Sequence, residues 1–309
     1  MDEKSMCVAL TGATGFVGAR VLQRLLDTGH RVRALVRDRS RIPPRHKGLT
    51  LVEGDLFQPS SLTELVRDDQ AVIHLVGIIM EKPSQGQTFQ RVHVQGTKNL
   101  LAAAKKADIE RWVHMSAIGA RPEARANYHL TKWQGEQAVR TSGLAYTTFR
   151  PSIIHGPRGA FMKMVKDFWC KAFPPFVPYF GSGSIGRGGG GRLQPVWVED
   201  VAQCFVDAIT HERTIGETYP MGGPDEMTWP QLYLTCKPYF PKARDKPIVA
   251  VPVWYANMIA RLPGVPFNRD QVIMSQEDAT CRVEKLMADF NLQPAPFERT
   301  LAEYASRIP

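Results

Sequence analysis

The chain has 309 residues, of which 43% are hydrophobic and 22% are charged. This composition excludes an intrinsically disordered protein, and the length allows one large domain or two smaller ones whose core needs no disulfide or metal. The formal net charge of +9 is compatible with a phosphorylated ligand or an anionic membrane. Because the chain contains no block of five like charges, nucleic acid is not predicted as a partner.

The first half of the chain alternates β-branched runs with amphipathic stretches. Strands are predicted at residues 6–10, 31–36, 49–53, 71–76, 111–115 and 145–150, and helices at residues 16–28, 60–66, 88–106 and 128–142. Strands that alternate with helices form parallel units whose right-handed crossovers place helices on both faces of the sheet. The predicted fold class is therefore α/β, with a doubly wound parallel sheet.

After residue 155 this alternation breaks down. Prolines, aromatic residues and glycines are dense between residues 171 and 192, and regular order returns with a predicted strand at 193–198 and a helix at 199–210. Further helices are predicted at residues 229–238, 254–261 and 297–306. We expect residues 1–155 to form the sheet domain and residues 156–309 a smaller C-terminal lobe, with about 193–210 returning to the sheet domain.

The spacing of the cysteines and the length of the apolar runs restrict the class of protein further. The five cysteines form no CxxC pair, so neither a zinc site nor a disulfide framework is predicted. The first residues carry two acids and do not resemble a signal peptide, and the longest apolar run, residues 71–80, is far shorter than the ~20 residues of a membrane helix. These features predict a cytoplasmic protein with no bound metal.

A glycine-rich turn at residues 11–18, TGATGFVG, links the first predicted strand to the first predicted helix. Glycines permit a sharp turn and a close backbone approach to a pyrophosphate, and the amides of the first helical turn attract an anion. The turn therefore predicts a dinucleotide site. Its predicted contacts are Gly12, Thr14, Gly15, Phe16 and Val17.

The residue at the end of the second strand distinguishes the two nicotinamide dinucleotides. Arg37 directly follows that strand, and Asp38 comes next. An arginine there pairs with a 2′-phosphate, whereas an acid accepts a hydrogen bond from a 2′-hydroxyl. Arg37 thus favours NADP as the cofactor, and Asp38 keeps NAD open as the alternative.

Tyr128 and Lys132 lie four residues apart in a predicted helix and therefore share one of its faces. A lysine cation near a phenol is expected to lower the pKa of the tyrosine, so that Tyr128 can exchange a proton with a carbonyl oxygen. Ser116 follows the preceding strand, where its hydroxyl can orient that oxygen. We predict Ser116, Tyr128 and Lys132 as catalytic residues, with Tyr128 and Lys132 also contacting the cofactor.

Together these motifs resemble the short-chain dehydrogenase/reductase superfamily in its extended or atypical branch. The resemblance implies a Rossmann domain, in which Asp55 and Leu56 of GDLFQP contact the adenine and Val76 and Gly77 of VIHLVGI lie behind the adenosine. It also implies that a loop at residues 150–159, RPSIIHGPRG, contacts the nicotinamide. The predicted contacts in that loop are Pro151, Ile153 and Ile154.

Within the superfamily, the resemblance is to an epimerase/dehydratase-like subgroup similar to the nucleotide-binding accessory subunit of respiratory complex I. Two features depart from the family pattern. His93 replaces the asparagine of the proton-relay helix, and the loop at residues 181–192 is unusually rich in glycine.

Three functions remain open at this stage. The first is an oxidoreductase or epimerase/dehydratase-like enzyme in which Tyr128 is the acid/base and the substrate is a small carbonyl or quinone-like molecule. The second is a non-catalytic nucleotide-binding subunit or redox sensor associated with a complex I-type assembly. The third is peripheral attachment to the inner membrane through aromatic residues at 169–180 and nearby lysines, although the same aromatics could instead line an apolar pocket.

Overall fold

The computed structural model describes residues 5–42, 46–181, 189–262, 265 and 267–309. The strands are β1 (Cys7–Thr11), β2 (Arg31–Val36), β3 (Leu49–Glu53), β4 (Ala71–His74), β5 (Arg111–Met115), β6 (Ala145–Pro151), β7 (Ile154–His155), β8 (Val177–Gly181), β9 (Val196–Trp197), β10 (Glu217–Met221) and β11 (Ile248–Pro252). The helices are α1 (Phe16–Asp27), α2 (Pro59–Leu65), α3 (Gly96–Lys106), α4 (Asn127–Arg140), α5 (Ala160–Cys170), α6 (Val198–Asp207), α7 (Trp229–Cys236), α8 (Val253–Ile259), α9 (Arg269–Met274), α10 (Glu284–Phe290) and α11 (Phe297–Tyr304).

The central sheet has seven parallel strands in the order β10-β6-β5-β4-β1-β2-β3. Alternate side chains of β1 enter two separate cores. Val8 and Leu10 pack with α1, α6 and α10, whereas Ala9 packs with α2, α3 and α4 on the opposite face. This arrangement confirms the predicted doubly wound α/β class. The strand order reverses between β1 and β4, where such sheets bind ligands at their carboxyl edge.

Strand β10 was not predicted from the sequence, and it pairs with β6 at the edge of the main sheet. It contains Pro220, which cannot donate a ladder hydrogen bond and is tolerated at an edge. The predicted strand at 193–198 is shorter than expected, because only two residues form β9, which pairs with β7 outside the main sheet. Helix α6, which follows β9, packs against α1.

A third core lies in the C-terminal half, where α5, α7 and α11 pack around the two-stranded sheet of β8 and β11. Trp169 is buried there and donates its indole N–H to the carbonyl of Tyr233 at 3.1 Å. Tyr179 is buried in the same core. Trp169 and Tyr179 are therefore covered by protein and do not take part in the membrane attachment considered as one alternative for the aromatics at 169–180. No helix in the described part of the chain is long and apolar enough to cross a bilayer.

Candidate functional site

The glycine-rich turn holds the backbone of the first loop against the segment that follows β4. Gly12 has a φ of +81°, and a Cβ there would lie 3.2 Å from the carbonyl carbon of Leu75. A Cβ at Gly18 would lie only 2.0 Å from the carbonyl oxygen of Gly12. A side chain is therefore excluded at Gly18 and disfavoured at Gly12, and the turn closes with a 2.9 Å hydrogen bond from the amide of Gly15 to that oxygen.

The amino end of α1 is suited to an anion. Gly15 is its N-cap, no acidic side chain lies in its first turn, and both Thr14 and Gly15 are exposed. Phe16 instead packs its ring towards the loop after β7, because a Cβ at Gly156 would lie 3.0 Å from its Cζ atom. Of the contacts predicted at the turn, Thr14 and Gly15 are exposed to solvent, whereas the side chains of Phe16 and Val17 are partly buried. The steric cradle and the amino end of α1 fit a pyrophosphate.

A cavity of about 300 Å³ lies at the carboxyl ends of β2 and β3. It is lined by Arg37, Glu53, Gly54, Asp55 and Gln58. The structure therefore brings together Arg37, predicted for the ribose, and Asp55, predicted for the adenine. Leu56 lies apart from them, since it is buried with its side chain against α3, where a Cβ at Gly96 would lie 2.8 Å from it.

Arg37 and Asp38 differ in whether their charged groups already have partners in the protein. The carboxylate of Asp38 accepts hydrogen bonds from the amide and the hydroxyl of Ser40, at 2.9 and 2.7 Å. These bonds hold the pKa of Asp38 below its usual value. The Arg37 guanidinium is exposed and pairs with no other described residue. Arg37 is thus the group at this strand end that is available to an added anion.

Ser116 and Lys132 lie at the carboxyl ends of β4 and β5. Ser116 directly follows β5, and its buried hydroxyl oxygen has no hydrogen-bond partner among the described residues. Lys132 donates from Nζ to the carbonyl of Met115, and a Cβ at Gly77 would lie 3.8 Å from that Nζ. Lys132 therefore bridges the ends of the two strands, close to the predicted contact Gly77.

Tyr128 is partly buried one helical turn before Lys132. Its ring meets the rings of Phe89 and His93 edge-on, at centroid distances of 5.8 and 5.5 Å. Burial raises the pKa of Tyr128 to about 12 and lowers the pKa of Lys132 to about 8. Burial therefore shifts the pKa of Tyr128 in the direction opposite to the expected lowering.

A buried carboxylate supports the charge of Lys132 from the same helix. Glu136 is fully buried and opposes the lowering of the Lys132 pKa. Arg150 holds Glu136 with two hydrogen bonds, of 2.9 Å from Nε and 2.7 Å from the second guanidinium nitrogen. This pair links α4 to β6 immediately before Pro151. Sequence reasoning missed it, because nothing in the local pattern relates positions 136 and 150.

His93 connects three segments around the site. It lies in a π-helical turn, Gln90–Gln95, that leads into α3. Its Nδ1 lies 2.9 Å from the hydroxyl of Thr131, and its Nε2 lies 3.1 Å from both the amide and the carbonyl of Ile78. Burial lowers the pKa of His93 to about 2, so the ring is neutral. His93 therefore ties α4 to the segment that carries Val76 and Gly77.

The predicted nicotinamide segment lies between two hydrophobic cores. The amide of Ile118, in the loop that follows Ser116, donates to the carbonyl of Pro151 at 3.1 Å. Ile153 packs on the core of the C-terminal half, and Ile154 packs on the core beneath α1. The structure thus brings the Ser116 loop together with the 151–154 segment. Of the glycine-rich loop at 181–192, residues 182–188 lie outside the described residues.

The C-terminal half supplies contacts that sequence reasoning did not find. Asp270 of α9 accepts hydrogen bonds from the amides of Asn127 and Tyr128, at 3.3 and 3.1 Å. Glu277 forms a two-bond ion pair with Arg121, at 2.9 and 2.7 Å, on the loop that precedes α4. These contacts fix the amino end of the helix that carries Tyr128 and Lys132.

The fold and this geometry define a dinucleotide-binding protein of the Rossmann type. Residues 12–164, about half of the chain, match the family model described as NAD(P)H-binding. The chain belongs to this NAD(P)-binding family.

Individual relatives carry different activities in their names. The chain is 33% identical over 201 residues to the ceramide reductase of Caulobacter vibrioides, covering 64% of this chain and 59% of that protein. It is 27% identical over 303 residues to the mitochondrial NADH-ubiquinone oxidoreductase 40 kDa subunit of Neurospora crassa, covering 92% of this chain and 74% of that subunit. The structure of the Thermus thermophilus UDP-glucose 4-epimerase complex with NAD superimposes with a TM-score of 0.73 at 20% identity, covering 98% of this chain and 99% of that one, and so shares the fold.

Proposed function

We propose that this protein is an NAD(P)-dependent oxidoreductase, or an epimerase/dehydratase-like enzyme, of the short-chain dehydrogenase/reductase type. The observation that carries the proposal is the buried, unpartnered hydroxyl of Ser116 beside Lys132, at the sheet edge that also carries the glycine turn. An unsatisfied buried hydroxyl is costly unless a further group completes its hydrogen bonding. A substrate carbonyl oxygen is a group of the right chemistry.

Each of the three residues has a distinct role in this proposal. Tyr128 holds the proton that is given to the substrate oxygen, consistent with its raised pKa. Ser116 orients that oxygen. Lys132 is held by Met115 and supplies positive charge beside the phenol as the proton leaves. The nicotinamide supplies hydride chemistry when bound.

We propose NADP as the preferred dinucleotide and a small carbonyl or quinone-like molecule as the substrate. Arg37 has no ion-pair partner among the described residues, whereas the carboxylate of Asp38 already accepts two hydrogen bonds from Ser40. This difference favours a 2′-phosphate over a 2′-hydroxyl. The similarity to a protein named ceramide reductase supports reduction of a carbonyl group.

The test is oxidation of NADPH and NADH by the purified protein with a panel of ketones, quinones and nucleotide sugars. Replacing Tyr128 by phenylalanine is expected to lower turnover roughly 10²–10⁴-fold, the usual contribution of a general acid, while nucleotide binding is retained. Tyr146→Phe is the matched control, because Tyr146 is also partly buried but lies near the amino end of β6. Full activity of Tyr128→Phe on a genuine substrate would refute the assignment.

A second candidate is a nucleotide-binding subunit without turnover, associated with a respiratory assembly. It is favoured by the similarity to the Neurospora crassa subunit along 92% of this chain. This alternative predicts tight nucleotide binding with no substrate-dependent oxidation, together with copurification of respiratory-chain subunits. Turnover that requires Tyr128 would exclude it as the sole function.

A further inference from the structure

Helix α8 leaves an apolar side uncovered on the protein surface. Trp254, Tyr255 and Met258 on this helix are 70%, 43% and 53% exposed, and Leu262, in the turn that follows, is 59% exposed. Trp254 and Met258 lie four residues apart and therefore share one side of α8, which ends at Ile259, and Leu262 follows in the turn after the helix. We call these four residues the α8 face. A contiguous apolar strip of this kind marks an interaction surface.

The α8 face is presented by packed structure. The helix begins directly after β11, and Ala256 on its inner side is fully buried. At the end of β8, the partner strand of β11, the ring of Phe180 packs on that of Phe267 at 4.8 Å. Gln276 donates to the carbonyl of Phe180 at 2.9 Å. The exposed aromatic residues therefore stand on a fixed element.

The exposed charged residues that flank this face most closely along the chain are basic. No acidic residue occurs between Asp245 and Asp270, a stretch that contains Lys246, Arg261 and Arg269. Arg261 and Arg269 are exposed, whereas Lys246 is buried and donates to three main-chain carbonyls. An apolar centre with exposed cations complements anionic lipid headgroups over an acyl region.

We propose that the α8 face docks on the surface of an anionic bilayer. Tryptophan and tyrosine prefer the membrane–water interface, where the ring is apolar and its polar edge is hydrated. A second copy of the chain fits less well, because a two-fold contact through this face would bring the same cations together. The proposal stands independently of catalysis by Tyr128.

Docking through α8 places the bilayer close to the candidate site. Helix α8 packs against α9, and Asn268, the N-cap of α9, donates to the carbonyl of Ile79 at 3.1 Å. Ile79 is 55% exposed on the segment after β4, and Asp270 of α9 binds the amide of Tyr128. A membrane-borne molecule would therefore meet the protein next to the helix that carries Tyr128.

This surface differs from the aromatic segment at 169–180 considered above. Phe173 is 83% exposed but precedes β8, whereas the α8 face follows β11. Because β8 and β11 are parallel, the two positions lie at opposite ends of this small sheet. Substitutions at Phe173 and in the α8 face can therefore show which of the two surfaces binds the membrane.

The first test is flotation of the full chain with vesicles of phosphatidylglycerol and phosphatidylcholine in equal parts, against phosphatidylcholine alone. We expect binding to the anionic vesicles that weakens at high ionic strength. A Trp254→Ser/Met258→Ser variant is expected to lower the partition coefficient by about tenfold or more, from the loss of two apolar contacts. Leu234→Ser is the matched control, since Leu234 is 57% exposed on α7 and is expected to leave binding unchanged.

A second test uses the fluorescence of Trp254 in the wild-type protein. Trp254 is the only exposed residue among the six tryptophans, so brominated lipids are expected to quench its emission selectively. Trp254→Phe should abolish the quenching and keep the flotation. The proposal is overturned by absence of flotation at low ionic strength, by unchanged binding of the double variant, or by loss of binding in Phe173→Ser instead. A wild-type dimer that the double variant dissociates would assign the face to a second copy and overturn it as well.

Discussion

The carboxylate of Asp270 accepts a hydrogen bond from the main-chain amide of Tyr128 at 3.1 Å, although the two residues are 142 positions apart. Helix α4 has Ala126 as its N-cap, and this residue offers no side-chain hydrogen bond. Asp270 therefore supplies the cap from another helix, and its negative charge is favourable at the positive end of the α4 dipole. The C-terminal half thus positions the helix that carries Tyr128 and Lys132.

Replacing Asp270 by alanine is expected to cost about 1 kcal/mol of unfolding free energy, the usual value of an N-cap. Turnover should fall more than nucleotide affinity, because Tyr128 moves while the glycine turn does not. Urea unfolding and steady-state kinetics measure the two effects. The control is Asp278→Ala, which removes a carboxylate that binds the amide of Arg192 instead. Equal loss of turnover in both variants would contradict a specific cap on α4.

Gly12→Ala is expected to weaken nucleotide binding by tenfold or more, since the added Cβ presses on Leu75 in the turn. Gly143→Ala provides the matched control, because Gly143 has a similar φ of +84° but no atom within 4 Å of the added Cβ. Both variants should lose about 1–2 kcal/mol of stability from the left-handed backbone. Fluorescence titration with NADPH separates the two, and equal affinities would argue against a nucleotide at this turn.

Arg37→Ser is expected to lower the affinity for NADPH about tenfold while leaving that for NADH nearly unchanged, since it removes one charge-assisted contact to a phosphate. Arg41→Ser serves as the control for net charge, because Arg41 is exposed a few residues further along. Isothermal titration with both nucleotides gives the ratio. If wild-type protein binds NADH at least as tightly as NADPH, the proposed preference is wrong.

The buried histidines predict acid sensitivity. The pKa of His74 is lowered from 6.5 to about 3 by burial, so the unfolded chain binds more protons than the folded protein between these values. Stability is therefore fully present above pH 6.5 and falls as the pH is lowered towards 3. Between pH 7 and pH 5, His74 should account for at most about 2 kcal/mol of this loss.

His74→Asn is the informative variant, since its amide can replace the ring Nδ1 that contacts Thr11 at 2.7 Å, while it gives up the 3.1 Å contact of Nε2 with Thr97. Urea unfolding at pH 7 and pH 5 should show a smaller pH-dependent loss than in the wild type. His46→Asn is the control, because His46 is exposed. An undiminished loss in His74→Asn would show that His74 is not responsible.

The strands of the first half were predictable because hydrophobic periodicity and β-branched runs are local signals. The predicted bounds of β2, β3 and β5 agree with the structure. Strand β10 was not predicted because Pro220 interrupts its strand pattern and its partner β6 is about seventy residues away in the sequence. Residues 217–221 form a strand because they pair with β6, and the local sequence pattern does not reveal that pairing.

The same distinction applies to the site. Ser116 and Lys132 could be placed because each lies next to a recognisable strand or helix. Asp270 and Glu277 could not, since their partners lie more than 140 residues away. The direction of the Tyr128 pKa also could not be predicted, because burial of the ring depends on Phe89 and His93 from a separate π-helical turn.

Strand β10 has a practical consequence for dissecting the protein. Phe149 of β6 packs against Tyr219 of β10, Phe205 of α6 and Phe290 of α10, at ring distances of 5.8, 4.7 and 5.5 Å. A truncation at residue 164, where the family match ends, would leave β6 as a bare sheet edge with this aromatic cluster in water. Chimeras that exchange the C-terminal half for that of a relative must therefore exchange the cluster as a set, or retain these three elements from the parent chain.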